Sequence, residues 1–358
     1  MSAAMLAVLC AFFPVITAQG FWSLALEELT AADGQFVRPN CVSYHSSGLL
    51  TQEQYQLCQE DGLVLAAVSK GLRRAISDCQ SNFAHQRWNC SAFEGAYILG
   101  RGVETIDSRE GAYVRSLISA AILFDVAVAC REGLLPQCPC HADSPYIRKL
   151  SDGTILLNGC GANPDYAKRT ADVFLDSPGP LPLQDGLAVK TLDHNRLVSE
   201  QVLDSPHVVC KCHGLTNDCS IKTCVRHLRP FKQTSESMLQ KYKSAIKVHA
   251  GVGEAPLSSW QGDDPTPNDL VYTQDSPNYC KANPALNILG TSERVCHFDE
   301  TKPGSCQQLC CGRGQHETER VVLKQECKLV AIRDGNVIKG FSPKCTDVPR
   351  RIREYVCN

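Results

Sequence analysis

The chain has 358 residues, of which 43% are hydrophobic, and a formal net charge of −2. This length allows one large domain or two of medium size, each with a real interior. The near-neutral charge gives no global field that points to nucleic acid or to acidic partners. The chain also contains 21 cysteines, a number typical of proteins that are held together by disulfides.

Residues 1–20, MSAAMLAVLCAFFPVITAQG, are predicted to be a secretory signal peptide, because an apolar run is bounded there by small residues. A buried N-terminal helix is the alternative. Removal of the signal takes Cys10 with it and leaves twenty cysteines, an even number that suits a disulfide framework. No later apolar stretch approaches the roughly 20 residues of a membrane span. Asn89, in Asn89-Cys90-Ser91, is a predicted glycosylation site.

Residues 21–250 are predicted to form a helical N-terminal domain. Apolar residues recur at helical spacing over residues 52–83. A second helix is predicted from the N-cap Ser108 to near Gly133, and its broad apolar face indicates a central position. Further helical segments are predicted over residues 185–203 and 235–248.

The composition changes after this domain. Residues 251–268 are rich in Gly, Pro, Ser and Asp and are predicted to be a linker. Residues 269–358 contain eight cysteines and little helical periodicity, so this module must depend on disulfides more than on a core. Between Cys327 and Cys345, Asp334-Gly335 has β-prone flanks and predicts a two-residue hairpin turn.

Four cysteines and a histidine crowd into residues 210–224, CKCHGLTNDCSIKTC, and three interpretations compete. Zinc ligands normally come in repeated pairs two to four residues apart, which this spacing does not match. A catalytic dithiol would show C-x-x-C beside a βαβ pattern, which is also absent from the sequence. The remaining interpretation is a hairpin crossed by two nested disulfides, Cys210–Cys224 and Cys212–Cys219, which would hold its tip out as a contact element.

This segment resembles the thumb of Wnt signalling proteins, which is written roughly C-x-C-H-G-x-S-G-S-C-x-x-K-T-C. Further matches follow in order along the chain: FWSLALEE at Phe21, FAHQRWNCS at Phe83, DLVYTQDSPNYC at Asp269, CQQLCCGRG at Cys306 and the closing REYVCN. The resemblance implies an α+β, two-lobed fold. The helical N-terminal domain would bear the thumb, and the small disulfide-rich C-terminal domain would bear a β finger at residues 327–345.

The resemblance also implies a pairing for all twenty mature cysteines, which leaves no free thiol. The expected pairs are Cys41–Cys58, Cys79–Cys90, Cys130–Cys138, Cys140–Cys160, Cys210–Cys224, Cys212–Cys219, Cys280–Cys311, Cys296–Cys306, Cys310–Cys357 and Cys327–Cys345. Wnt proteins usually have more cysteines, including an adjacent pair in the finger. The cysteines missing here are missing as complete pairs.

The function implied by the resemblance is that of a secreted ligand without catalytic or metal-binding residues. Its two tips would bind the cysteine-rich domain of a Frizzled receptor and bring it to a co-receptor of the LDL-receptor-related type. The expected contacts are Gly214, Leu215, Thr216, Asn217 and Asp218 in the thumb and Ile332, Arg333, Asp334, Gly335, Asn336 and Val337 in the finger. No cofactor is expected except a covalent unsaturated fatty acyl chain, which the family attaches to a serine that Thr216 replaces here.

Several departures from the family keep other functions open. The methyl group of Thr216 crowds the hydroxyl oxygen, and Asp218 adds a charge where an apolar groove would approach. The polar tip of the finger predicts a salt-sensitive contact. A lipid-free ligand or an antagonist with an altered receptor mode is therefore an alternative, and a secreted thiol oxidoreductase is a rival from another class.

Two groups of basic residues are candidates for binding sulfated glycans such as heparan sulfate. They are Lys222, Arg226, His227, Arg229 and Lys232 after the thumb, and Lys344, Arg350, Arg351 and Arg353 near the end of the chain. Solvated charge without a partner is the alternative interpretation of both groups.

Overall fold

A computed structural model describes residues 20–93, 97–139, 147–158, 161–175, 186–204, 207–213, 218–251, 257–334 and 337–358. The expected signal peptide, except for Gly20, lies outside these residues. The chain divides into two units. The first comprises Met1–Asn82 and Cys90–Pro277, and the second comprises Phe83–Asn89 and Asn278–Asn358.

The described part of the first unit is mainly helical. Its helices are α1 (Cys41–Ser46), α2 (Gln52–Glu60), α3 (Val64–Phe83, whose last residue belongs to the second unit), α4 (Arg101–Glu104), α5 (Arg109–Arg131), α6 (Pro164–Leu175), α7 (Gly186–Glu200) and α8 (Phe231–Lys243). Short 3-10 helices cover Phe21–Leu26 and Gln201–Leu203. In the first of these, Phe21, Trp22 and Leu24 are buried.

Helix α5 is the centre of this unit, as its broad apolar face predicts. The Ser108 side chain accepts a hydrogen bond from the Gly111 backbone N–H at 3.2 Å and caps the helix. The helix packs against α6, α7 and α8. At Gly71 of α3, an added Cβ would lie 2.8 Å from the Ala121 carbonyl oxygen, so only glycine allows α3 and α5 to approach this closely.

The prediction that no mature segment could span a membrane by length was wrong for α5. Arg109–Arg131 is long and apolar enough to cross a membrane by length and composition. Most of the apolar window, 83%, is buried inside the protein, however, so its apolar surface is already covered by neighbouring elements. The hydropathy of α5 is that of a core helix.

Two helix predictions were wrong in their bounds. The helix predicted over residues 52–83 is interrupted between Glu60 and Val64, where an Asp61 carboxylate oxygen accepts a hydrogen bond from the Leu63 N–H at 3.2 Å. The helix predicted over 235–248 is α8, which begins at Phe231 and ends at Lys243. Its predicted end instead forms strand β5 (Ile246–Ala250), in which β-branched residues favour the extended conformation.

The predicted linker at residues 251–268 contains ordered sheet in its described part, which corrects the domain boundary. Strand β6 (Leu257–Ser259) pairs antiparallel with β5, and β7 (Val271–Tyr272) pairs parallel with β5. Val248, Leu257 and Val271 form a buried cluster that ties this segment to the first unit. The boundary therefore falls between Pro277 and Asn278, after the predicted linker.

A second sheet in the first unit has the strand order β1-β2-β4-β3. Its strands are β1 (Ile147–Lys149), β2 (Ile155–Asn158), β3 (His207–Cys212) and β4 (Ile221–His227). Strands β3 and β4 are antiparallel, whereas β2 pairs with β4 in parallel. The outer hairpin β3–β4 is the predicted thumb.

The second unit has little helix and is built around sulfur. Its elements are a 3-10 helix (Pro284–Leu286), β8 (Val295–Cys296), α9 (Cys306–Leu309), β9 (Gln315–Asp334) and β10 (Val337–Cys357). The buried cluster of this unit consists of Cys296, Cys306, Leu309, Cys310 and Cys357, with Tyr355 packed against it. Four of these five residues are disulfide-bonded cysteines, as expected for a module that lacks a large apolar core.

The segment Phe83–Asn89 belongs to the second unit because its contacts lie there. The Arg294 guanidinium donates to the carbonyl oxygens of Ala84, Gln86 and Arg87 at 2.8–3.2 Å. The Trp88 ring lies 6.2 Å from the Tyr279 ring. This assignment was not predicted, because sequence order alone places these residues in the helical domain.

Nine disulfides join described cysteines, and each is one of the pairs that the resemblance implies. They are Cys41–Cys58, Cys79–Cys90, Cys130–Cys138, Cys210–Cys224, Cys212–Cys219, Cys280–Cys311, Cys296–Cys306, Cys310–Cys357 and Cys327–Cys345. The expected pair Cys140–Cys160 lies outside the described residues.

Burial of Glu104 gives a testable pH dependence of stability. Glu104 is 2% exposed, and burial raises the pKa of its carboxyl group to about 8. The folded state favours the neutral acid. The contribution of Glu104 to the free energy of unfolding is therefore fully present below pH 4.5, the ordinary pKa, and is lost as the pH rises through 8. We expect Glu104→Gln to raise the Tm by at least about 3 °C at alkaline pH and to change it little near pH 4.

The measurement is thermal unfolding of the wild type and of Glu104→Gln as a function of pH. The exposed Glu53→Gln is the matched control and should leave the pH dependence as it is. A Glu104→Gln variant whose Tm follows that of the wild type at every pH would contradict the assignment.

Candidate functional site

The thumb is a two-stranded hairpin with two crosslinks. Cys210 lies directly opposite Cys224 in the register of β3 and β4, with a Cα–Cα distance of 4.0 Å. Cys212 and Cys219 are bonded nearer the tip, with a Cα–Cα distance of 4.7 Å. The two bridges are nested, as the hairpin interpretation requires, and sulfurs bonded in this way offer no thiolate for zinc or for redox chemistry.

Packing contributes little to the thumb. Five of the six residues of β3 are exposed, including Val208 and Val209, and Ile221 at the start of β4 is 36% exposed. A two-stranded hairpin without a covering layer is marginally stable in water. The disulfides and the parallel pairing of β2 with β4 are therefore what hold the hairpin in shape.

Most of the predicted tip, Gly214, Leu215, Thr216 and Asn217, lies outside the described residues. The flanking residues are ordered. The His213 N–H donates to the Ile221 carbonyl oxygen at 2.8 Å and extends the ladder beyond β3. One carboxylate oxygen of Asp218 accepts from the Ser220 N–H at 3.2 Å and from its hydroxyl at 2.7 Å, so Asp218 shapes the turn before β4.

The base of the thumb contains a cationic contact that sequence reasoning missed. His207 and His227 are opposite each other in the register, with ring centroids 5.8 Å apart. Arg131, the last residue of α5, places Nη1 2.7 Å from Nδ1 of His227 and also pairs with Glu132 at 3.0 Å. Because an arginine can only donate, Nδ1 of His227 must accept, which requires an unprotonated nitrogen.

The finger is much longer than the predicted segment 327–345. Strands β9 and β10 have 20 and 21 residues. They are paired along their whole length, from Gln315 opposite Cys357 to Asp334 opposite Val337. Cys327 and Cys345 lie directly opposite each other, with a Cα–Cα distance of 3.9 Å, and form the crosslink in the distal half of the hairpin. Among the described residues, a third strand, β8, pairs with β10 only at Tyr355 and Val356.

The turn of the finger falls one residue later than predicted. Asp334 ends β9 and pairs with Val337, so Asp334 is not one of the two connecting residues. Gly335 and Asn336 connect the strands and lie outside the described residues. The register shifts between Ile338 and Gly340, where the strand contains an extra residue.

The strands beside the predicted finger contacts expose more apolar surface than the polar residues of the turn indicate. Ile332 is 52% exposed on β9, and Arg333, Asp334 and Val337 are placed by their backbone only. Several large apolar side chains on the two strands are exposed. They are Val321, Leu323, Leu329, Val330, Ile332 and Phe341. Of this surface, the sequence predicted only Ile332, because the expected contacts were confined to residues 332–337.

The two basic groups differ in how many of their charges are already paired. In the second group, Arg350 lies 2.5 Å from Glu326, and Arg353 lies 3.4 Å from Glu319. In the first group, Lys232 is 4.0 Å from Glu236. Internal ion pairs therefore reduce the free positive charge of the second group more than that of the first.

The predicted glycosylation residue Asn89 is half-buried and lies next to Cys90, which is bonded to Cys79. Attachment of a glycan stays a prediction.

Within the described residues, one set of possible metal ligands lies close together in space: the sulfurs of Cys296, Cys310 and Cys357. Each of these sulfurs belongs to a disulfide, so the group is part of the core of the second unit and has no thiolate to offer.

Comparison with known proteins gives concordant results. A family model described as the wnt family matches residues 46–331. Protein Wnt-5a of Ambystoma mexicanum is 32% identical over 335 residues, which cover 91% of this chain and 92% of that protein. Protein Wnt-5b of Homo sapiens is 31% identical over 351 residues, which cover 95% of this chain and 94% of that protein.

A solved structure is also similar. The structure described as human WLS in complex with WNT8A matches with a TM-score of 0.56 and 25% identity. The match covers 82% of this chain and 94% of that chain. The similarity extends over most of both molecules.

The α+β fold with two disulfide-braced hairpins is that of an extracellular signalling ligand, which acts by presenting surfaces. The chain belongs to the Wnt family, whose members are secreted signalling ligands and not enzymes. This membership overturns the rival interpretation as a thiol oxidoreductase.

The contact at the base of the thumb predicts a pH effect on the hairpin. Burial, followed by the charge of Arg131 and then His207, lowers the pKa of His227 below its ordinary value of 6.5. Because folding favours neutral His227, this stability is present above pH 6.5 and is lost as the pH falls to the lowered pKa. We expect the amides of β3 and β4 to lose protection from hydrogen exchange, corrected for the intrinsic rate, as the pH of the wild type falls below 6.5, and to lose much less in His227→Gln, whose side chain does not titrate.

The control is His249→Gln in β5, which should leave the exchange of the thumb amides as in the wild type. Equal loss of amide protection with falling pH in the wild type and in His227→Gln would show that the contact between His227 and Arg131 does not cause the pH dependence.

Proposed function

We propose that this chain binds the cysteine-rich domain of a Frizzled receptor through its thumb and its finger and so triggers Wnt signalling in development. The observation that supports this best is the doubly crosslinked thumb, Cys210–Cys224 and Cys212–Cys219, in a chain that belongs to the Wnt family. Two crosslinks restrict a hairpin whose described strand β3 is almost entirely exposed and contributes little to any core. Such restriction favours binding, because it lowers the entropy lost when a partner is engaged.

Thr216 is the proposed attachment point for an unsaturated fatty acyl chain. It occupies the position of the family's acylated serine, and its hydroxyl can form the same ester. Burial of an acyl chain contributes ~0.8 kcal/mol per methylene, so a long chain supplies on the order of 10 kcal/mol before entropic costs. The described side chains near the tip, His213 and Asp218, are polar and offer no comparable apolar surface.

The finger is the proposed second contact with the receptor, through Ile332, Arg333, Asp334, Gly335, Asn336 and Val337. Ile332 is exposed and adds apolar area to a tip that is otherwise polar. This contact should therefore weaken with salt less than a purely charged one.

A co-receptor of the LDL-receptor-related type is proposed by family membership alone. Heparan sulfate is proposed as a further partner in the extracellular matrix, with the first basic group as the better candidate. Among the described residues of that group, the one ion pair is Lys232 with Glu236 at 4.0 Å, whereas Arg350 and Arg353 of the second group both pair with glutamates at shorter distances.

A second candidate function is that of a lipid-free ligand or an antagonist. Asp218 favours this alternative, because its carboxylate is exposed beside the position where an apolar groove would approach the thumb. A ligand that binds a receptor without the acyl chain would occupy the receptor more weakly and could block it.

The deciding experiment combines mass spectrometry with receptor binding. We expect the thumb peptide of the secreted protein to have the added mass of an unsaturated acyl group at Thr216. Thr216→Ser should keep the adduct, and Thr216→Ala should lose it together with roughly 100-fold or more of the affinity for a Frizzled cysteine-rich domain. An unmodified thumb peptide on a protein that still binds the receptor would contradict acylation and support the lipid-free alternative.

A further inference from the structure

The distal half of the finger has two different faces. In an antiparallel pair, residues opposite each other share a face, and neighbours along a strand alternate. Three successive pairs on one face contain no charge: Cys327–Cys345, Leu329–Pro343 and Ala331–Phe341. We call these six residues the apolar face. Leu329 is 74% exposed and Phe341 is 64% exposed, so their side chains are uncovered in the chain.

The opposite face contains like charges at the same level of the hairpin. Lys328 lies directly opposite Lys344, and Lys324 lies two repeats along β9 on the same face, beyond Glu326, whose carboxylate pairs with Arg350. Like charges placed directly opposite destabilise a strand pair. Within the described part of the chain, none of these three lysines forms an ion pair. This arrangement favours an anionic environment beside the hairpin.

We propose that the distal finger lies flat on a lipid bilayer, with the apolar face against the acyl chains and the lysines among the phosphate groups. An amphipathic element of this kind lies in the membrane interface, buried about 5–10 Å deep. Successive side chains of a strand point to opposite faces, so the lysines point away from the acyl chains. Their long, flexible stems carry the ammonium groups into the headgroup layer, which is about 5–8 Å thick on each side of the hydrocarbon core.

The dimensions exclude insertion across the bilayer. The apolar face covers five residues of β9, Cys327 to Ala331, or about 15 Å, whereas a membrane-spanning strand needs about 9–11 residues. Insertion tip first would also bury Arg333 and Asp334, and the transfer of charged groups into an apolar medium is costly. The hairpin can therefore associate with a bilayer only along its surface.

A lipid surface fits both faces better than the other occupants do. A sulfated glycan could neutralise Lys328 and Lys344 but would leave Leu329 and Phe341 in water. A receptor groove could cover the apolar face but would leave the lysine pair without an anion. This membrane contact goes beyond receptor binding and does not require an acyl chain on Thr216.

The experiment measures flotation of the full secreted chain with lipid vesicles. Every protein in the series has the change Thr216→Ala, so that an acyl chain at that position cannot contribute. The vesicles are either pure phosphatidylcholine or an equimolar mixture with phosphatidylserine. We expect the parent protein to bind both, and the mixed vesicles more tightly, because the lysines add electrostatic attraction.

Three variants separate the two faces. Leu329→Ser with Phe341→Ser should weaken binding to both kinds of vesicle by about tenfold or more. Val330→Ser is the matched control, because Val330 is 46% exposed but lies on the lysine face, and binding should stay within about twofold. Lys328→Gln with Lys344→Gln should weaken binding to the mixed vesicles only.

Several outcomes would overturn the proposal. They are a parent protein that stays unbound to both vesicles, equal losses in the apolar-face variant and in Val330→Ser, and an apolar-face variant that loses only binding to a Frizzled domain. Loss of heparin binding in the lysine variant with vesicle binding unchanged would assign the lysines to a glycan and would also overturn it.

A fluorescence measurement that reports contact with lipid directly tests the orientation even if one of the serine or glutamine variants fails to fold. Tryptophan at position 329, in Leu329→Trp, should be quenched by brominated lipid, whereas tryptophan in Val330→Trp should not. Equal quenching at the two positions would contradict the proposed orientation.

Discussion

The structure depends on covalent crosslinks across hairpins that have almost no core of their own. In the thumb, Cys210 faces Cys224 at 4.0 Å between Cα atoms, and in the finger Cys327 faces Cys345 at 3.9 Å. Hydrophobic burial cannot supply this constraint, because the strands are exposed on both faces along much of their length. A crosslink acts instead by removing conformations from the unfolded chain, which requires no covering layer. Long hairpins can therefore project as defined surfaces.

The two units solve the problem of stability in different ways. The first unit buries a long apolar helix, α5, against its neighbours and behaves as an ordinary helical domain. The second unit has a core made largely of disulfide-bonded cysteines such as Cys296 and Cys310, whose sulfurs lie 3.6 Å apart. This difference matches function, because the second unit contributes mainly an extended hairpin. Its weak core is sufficient because that hairpin is braced by its own bridge.

Sequence alone predicted α5 and its N-cap at Ser108, since helical periodicity and capping are local properties. It missed the sheet strand at Leu257, because burial of one side chain depends on distant partners. The pairing of cysteines came from family resemblance, since spacing does not determine connectivity. The apolar face of the finger was not predicted, because it depends on the register in which β9 and β10 pair. A regular hairpin turning at Asp334-Gly335 would place Cys327 opposite Ser342, and a one-residue slip exchanges the faces.

Receptor binding, acylation and membrane contact all depend on one chemical property of the chain: the thumb and finger cysteines are oxidised in these pairs. Proteolysis of the secreted protein without reduction, followed by mass spectrometry, tests it directly. We predict linked peptides that join Cys212 to Cys219 and Cys327 to Cys345, with no thiol open to alkylation. Alkylation of Cys212 or Cys219 in the native protein, or zinc bound between them, would contradict the account.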